Sequence, residues 1–154
     1  MSWKMNWKNE KECLDAVKSN SLALQFAKNQ TKEMCLVAVK NYGYTLRYVK
    51  QQTEEICLIT MKQDGLALRF VKEQTEKICL IAVKNNGYAL KYVKEQTEKM
   101  CLIAVKSHGC AVKYVKDQTL DVCLAAVENN KEALKYINKD KSSDTYMHCK
   151  LLFS

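Results

Sequence analysis

The chain has 154 residues, 25 basic against 17 acidic side chains and a net charge of +8, with eight cysteines, four glycines and no proline. That length suits one domain with a sizeable buried core. No apolar run approaches the roughly 20 residues needed to span a membrane, and the opening MSWKMNWKNE lacks the apolar segment of a secretory signal, so the expectation is a cytoplasmic protein without membrane attachment.

In chain order, residues 1–8 come first, and their Trp3, Met5 and Trp7 read as an N-terminal cap. From residue 9 to residue 140 the chain is six copies of one 22-residue unit, starting at Asn9, Thr31, Thr53, Thr75, Thr97 and Thr119. The clearest copy is TEKICLIAVKNNGYALKYVKEQ, Thr75 to Gln96. A short unit repeated in register predicts an all-α fold, here an α-solenoid of six helical hairpins.

Within a unit, the first helix is expected over residues such as Glu76 to Asn85. Thr75 is placed to accept from a first-turn amide, and Glu76 suits the positive end of the helix dipole. Asn85-Asn86-Gly87 ends it, with Gly87 expected in the left-handed region. A second, amphipathic helix is expected over about Tyr88 to Glu95. The apolar run Ile78 to Val83 places the first helix as the inner layer and the second outside it. Thr60 stands where other copies have alanine, and its hydroxyl is expected to bond back to a helical carbonyl.

The end copies are atypical, as solenoid caps are. The first has Asn9 for the threonine, Glu12 at an apolar position and Ser21 for the glycine; the last has Lys131 for the glycine. Residues 141–154 read as a C-terminal tail or cap, apolar from Tyr146 to Phe153.

Six of the eight cysteines (Cys13, Cys35, Cys57, Cys79, Cys101, Cys123) share one repeat position inside the apolar run. Stacked helices lie roughly 8–10 Å apart, too far for disulfides or shared zinc between neighbours. They read as small core side chains in a reducing compartment. Cys110 and Cys149 lie outside this file, near His108 and His148, at spacings that match no metal motif. No serine, histidine and carboxylate constellation recurs, so the expectation is no enzyme, no cofactor and no metal.

Charge is the feature that points to a partner. Fifteen of the 25 basic residues occupy three repeat positions. Lys18, Lys40, Lys62, Lys84 and Lys106 close the first helices, where a cation suits the dipole. Arg47, Arg69, Lys91, Lys113 and Lys135 form a second file, and Lys28, Lys50, Lys72, Lys94 and Lys116 a third. The second and third files are the candidate binding face. Glu73, Glu95 and Asp117, four residues after Arg69, Lys91 and Lys113, are expected to neutralise part of it. Tyr48, Phe70, Tyr92 and Tyr114 recur at one position and read as core packing.

The strings QTEEICL, QTEKICLIAVKNNGYALKYVKEQ and QTEKMCLIAVK resemble the short helical repeat family known as domain of unknown function 4116, over about residues 9 to 140. That family occurs mainly in giant DNA viruses of amoebae and in some bacteria and protists, so the resemblance implies a viral source. It carries no activity or site residue across. The reading is a non-enzymatic interaction scaffold that binds a protein partner, a host protein among the candidates, through the repeat-lined face. The alternatives are a basic-striped module for nucleic acid or another polyanion, and a self-associating structural protein. The chain itself is expected to be a monomer or to associate weakly.

Overall fold

The computed structural model describes residues 9–138 and 143–153; the expected cap over residues 1–8 lies outside them. Six units stack in a row, each an α-helix followed by a six-residue 3₁₀ helix. They are α1 (Glu10–Ser19) and η1 (Ser21–Phe26), α2 (Lys32–Asn41) and η2 (Gly43–Tyr48), α3 (Glu54–Gln63) and η3 (Gly65–Phe70), α4 (Glu76–Asn85) and η4 (Gly87–Tyr92), α5 (Glu98–Ser107) and η5 (Gly109–Tyr114), and α6 (Leu120–Asn129) and η6 (Lys131–Tyr136). A seventh helix, α7 (Ser143–Phe153), packs on α6 and η6. Neighbouring α-helices touch, neighbouring 3₁₀ helices touch, and each 3₁₀ helix also touches the next α-helix. The fold is an all-α tandem-repeat solenoid.

The threonines start the helices as their chemistry requires. Thr31, Thr53, Thr75 and Thr97 accept from the amides of Met34, Ile56, Ile78 and Met100 at 3.3–3.4 Å. Asn9 does more in the first unit, accepting from the amides of both Lys11 and Glu12 and donating to the Glu12 carboxylate at 3.2 Å. Thr119 makes no cap; its hydroxyl donates to Glu98 Oε1 at 2.9 Å. Thr60 Oγ1 donates to the Ile56 carbonyl at 2.7 Å, the back-bond its place in the helix predicts.

The two layers share the core. In α4, Ile78, Cys79, Ala82 and Val83 are buried while Leu80 and Ile81 are half-buried at the surface. In η4, Gly87, Ala89 and Leu90 are buried, and Val93 just after it. So the α-helices are not an inner layer: both layers have a solvent side, and the core is the sheet of side chains between them.

The second helix is shorter and tighter than an α-helix over Tyr88 to Glu95. It ends at Tyr92, and Val93 is already extended, its amide bonded to Leu90 O at 3.2 Å. The reason lies in the glutamine that closes each unit. Gln96 Nε2 donates to Leu90 O, six residues back, at 3.3 Å, and to Tyr114 O in the next unit at 2.9 Å. Its Oε1 accepts from the Lys116 amide at 3.0 Å. Gln30, Gln52 and Gln118 repeat all three bonds. Gln74 makes the two that cross to the next unit. Side chains thus take the carbonyls and amides that would continue the helix, and each takes two of them from its neighbour.

The glycines also answer to a neighbour. No described residue has a positive φ, so Gly87 is not left-handed. A Cβ at Gly65, Gly87 or Gly109 would stand 2.3, 2.5 or 2.4 Å from the carbonyl oxygen of Ala82, Ala104 or Ala126 in the following helix. At these three positions the next helix's backbone occupies the Cβ's place; at Gly43 the nearest atom is Asp64 Cβ at 2.7 Å, and the first unit has Ser21 at this position. Lys131 fills it in the last unit, which has no following repeat.

Gly87→Ala should therefore lower stability by about 1–3 kcal/mol through overpacking, read as a shift in the urea midpoint; an unchanged midpoint would show that the helices can part at no cost. Gln96→Leu removes three hydrogen bonds to the backbone and one from the Cys101 thiol, strands partly buried backbone groups, and should cost about 2–4 kcal/mol. Hydrogen exchange checks the placement, with the amide of Lys116 losing protection first.

Candidate interaction face

The second cation file occupies the fifth position of η2 to η6, where η1 has Gln25, and all five members are exposed. The aromatic file Tyr48, Phe70, Tyr92, Tyr114 and Tyr136 occupies the sixth. The first four rings are half-buried, and their carbonyls are the ones the glutamines of the preceding unit hold. Backbone bonding thus sets the ring spacing, and the cations lie across the rings. Lys91 Nζ is 5.8 Å from the centroids of both Tyr92 and Tyr114. Lys113 Nζ lies 5.0 Å from Tyr114, 5.4 Å from Tyr136 and 5.7 Å from Tyr88. Both ammoniums bridge their own unit's ring and the next one, at cation–π distance. A hydrogen bond with Tyr114 pushes the Lys113 pKa up, which keeps this ammonium charged.

Glu73, Glu95 and Asp117 do not neutralise this file. Among the described residues the ion pairs are Lys32–Glu55, Lys77–Glu54 and Lys135–Glu132. Arg47, Arg69, Lys91 and Lys113 thus have no carboxylate partner there. The acids stand past the end of the 3₁₀ helix, in shallow grooves beside Lys72, Lys94 and Lys116.

The third file does a different job. Lys50 Nζ donates to Lys28 O at 2.7 Å, Lys72 Nζ to Lys50 O at 2.8 Å, Lys94 Nζ to Lys72 O at 3.3 Å and Lys116 Nζ to Lys94 O at 2.6 Å. Each ammonium points back along the stack and caps the carbonyl of the lysine before it. These four side chains tie units together, which leaves Arg47, Arg69, Lys91 and Lys113 as the outward face. Lys135, tied to Glu132, sits at its end.

The cysteine file is core. All six thiols are buried, and the Sγ of Cys35, Cys79 and Cys101 donates to the glutamine Oε1 of the same ladder at 3.5–3.8 Å. Desolvation pushes the Cys35, Cys57, Cys79 and Cys101 thiols up from 9.0, and Cys123 up to about 12, where nearby Cys149 adds to the effect. Such thiols stay protonated and unreactive. The two His–Cys pairs do not converge: on α7, His148 is exposed and Cys149 is buried in the core. His108 Nδ1 is 2.8 Å from Ser107 Oγ, with its ring 4.8 Å from Tyr88. Cys110 Sγ accepts from Asn130 Nδ2 at 3.5 Å. Among the described residues no three His, Cys, Asp or Glu side chains are grouped to hold a metal, and no helix is long and apolar enough to cross a membrane.

Repeated hairpins stitched side by side, with one side-chain pattern displayed at every step, define a helical tandem-repeat protein. The chain belongs to the family described as Domain of unknown function (DUF4116), whose model matches it four times in overlapping fashion, at residues 9–52, 31–75, 53–97 and 75–120. Each match spans two units, the smallest piece that contains a complete inter-unit glutamine bracket. No curated protein and no solved structure matches the chain.

Raised thiol pKa values fix the sign of one pH effect. A thiol that is harder to ionise in the folded state contributes stability below pH 9, and that contribution is lost as pH rises toward the folded value. For Cys123 the window runs from 9.0 to about 12. Wild type should lose stability more steeply with pH across that window than Cys123→Ala does, as followed by urea midpoints at successive pH values; equal slopes would mean the thiol is not desolvated.

Proposed function

We propose that this protein is a non-enzymatic interaction scaffold, and that its 3₁₀ face binds a protein partner through an acidic segment laid along the stack. The observation that carries the reading is the file Arg47, Arg69, Lys91 and Lys113: exposed, evenly repeated, held over rings, and unpaired with any described carboxylate. Cations already positioned by their rings lose little side-chain entropy on binding. The buried, protonated thiols and the unconverged histidines support a binding role rather than a catalytic one.

Nucleic acid is the second reading, since a cation file can also follow phosphates. The rings speak for a protein: their faces carry cations, so bases would have to displace those cations to stack. A fluorescein-labelled glutamate-rich peptide and single- and double-stranded oligonucleotides, titrated at about 50 and 200 mM salt, separate the two. Peptide binding that falls at least tenfold in Lys91→Glu/Lys113→Glu supports the protein reading. Oligonucleotide binding alone, with a steep salt slope, would replace it.

A further inference from the structure

The chain contains two arginines, Arg47 and Arg69, and they stand at the same repeat position in adjacent units. The next three units carry lysine there, so positive charge alone does not explain the choice. Arginine presents a planar fork that engages an oxyanion through paired hydrogen bonds, whereas lysine offers a single point of charge.

The two forks share one aromatic floor. Arg47 Cζ is 5.0 Å from the Tyr44 centroid and 5.7 Å from that of Phe70; Arg69 Cζ is 5.7 Å and 4.6 Å from the same two. Tyr44 and Phe70 meet edge to face at 5.0 Å, and the exposed Tyr42 stacks on Tyr44 at 5.6 Å. Arg47 donates to the Tyr44 hydroxyl oxygen, which leaves the hydroxyl proton to be offered elsewhere. Units four and five repeat this floor with Tyr88, Tyr92 and Tyr114, Tyr88 and Tyr114 again edge to face at 6.4 Å, but they place Lys91 and Lys113 on it. The molecule therefore holds one arginine pair and one lysine pair on matching supports.

Two guanidinium groups on one floor, without a described carboxylate between them, repel each other until an anion joins them. We infer that Arg47 and Arg69 form a subsite for a phosphate monoester, carried by a phosphorylated side chain of the protein partner. The inference rests on the protein-binding reading of this face. A monoester near neutral pH carries about −1.5 to −2 charges and three acceptor oxygens, enough to take both forks and the Tyr44 hydroxyl. A phosphodiester carries a single charge, and its natural counterpart is the evenly spaced file rather than one pair within it.

The test compares an acidic fluorescein-labelled peptide with its serine-phosphorylated form on the full chain, alongside titration of the arginine Nε–H NMR signals with inorganic phosphate. Arg47→Lys/Arg69→Lys keeps the charge and takes the residue that three other units already use, so it retains the fold, and its thermal melt verifies this. Wild type should bind the phosphopeptide about tenfold tighter than the plain peptide, from two added charge-assisted bonds, and phosphate should shift both arginine signals saturably. The double variant should lose the discrimination while still binding the plain peptide. Lys91→Arg/Lys113→Arg should acquire a second phosphate-responsive pair. Equal discrimination in Arg47→Lys/Arg69→Lys, or none in wild type with the plain peptide still bound, overturns the subsite and leaves the face reading intact. Binding of neither peptide overturns both. A duplex oligonucleotide that competes as well per phosphate as the phosphopeptide overturns the monoester assignment.

Discussion

A glutamine amide at every joint ties each unit of this solenoid to the next, and Asn85 and Asn129 add a second amide bracket at two joints. Each glutamine side chain at the end of a unit acts as a bracket: its NH₂ reaches a carbonyl of the next unit and its oxygen takes an amide two residues further on. Backbone groups at the end of a short 3₁₀ helix would otherwise face a partly buried seam without partners, at a cost of about 1–3 kcal/mol each. A six-residue 3₁₀ helix or a ten-residue α-helix has little stability alone, and here the neighbouring unit supplies the 3₁₀ helix's last hydrogen bonds as well as its packing. The steric fit of glycine under the next helix's carbonyl and the back-pointing lysines act across the same seam.

The face presented to solvent is a by-product of that seam. Because a glutamine holds the carbonyl of every ring-bearing residue, the rings advance in step, and the cations resting on neighbouring rings advance with them. The side chains most able to meet a partner are thus positioned by main-chain bonding two residues or fewer away. The first file sits at helix ends and the third at the seams; the second is the one displayed.

Much of this was legible in the chain. The 22-residue period, the threonine caps and the Thr60 back-bond follow from local chemistry, because the bonds close within four residues. What escaped is non-local. Gly87 looks like a left-handed helix stop until the Ala104 carbonyl is seen beside it. Glu95 reads as an i+4 partner of Lys91 only if the helix continues, and it stops at Tyr92, where Gln96 holds the Leu90 carbonyl and Gln74 the Tyr92 carbonyl. The lysines at 91 and 94 are alike in sequence, yet one lies over rings and the other caps the carbonyl of Lys72. The Gln-Thr pair at every unit boundary was the available signal for the bracket, and only its threonine half has an obvious local meaning.

The bracket points one way, from each unit to the one after it, and recurs at all five joints. Gaining or losing a whole unit re-forms that bracket at the new joint, whereas the bonds of Asn85 to Gly65 N and Lys62 O, and of Asn129 to Gly109 N and Lys106 O, recur at two joints. Slippage during replication, usually a source of broken proteins, here changes the number of cations on display by one. Copy number in the gene becomes the length of the cation file that the protein displays.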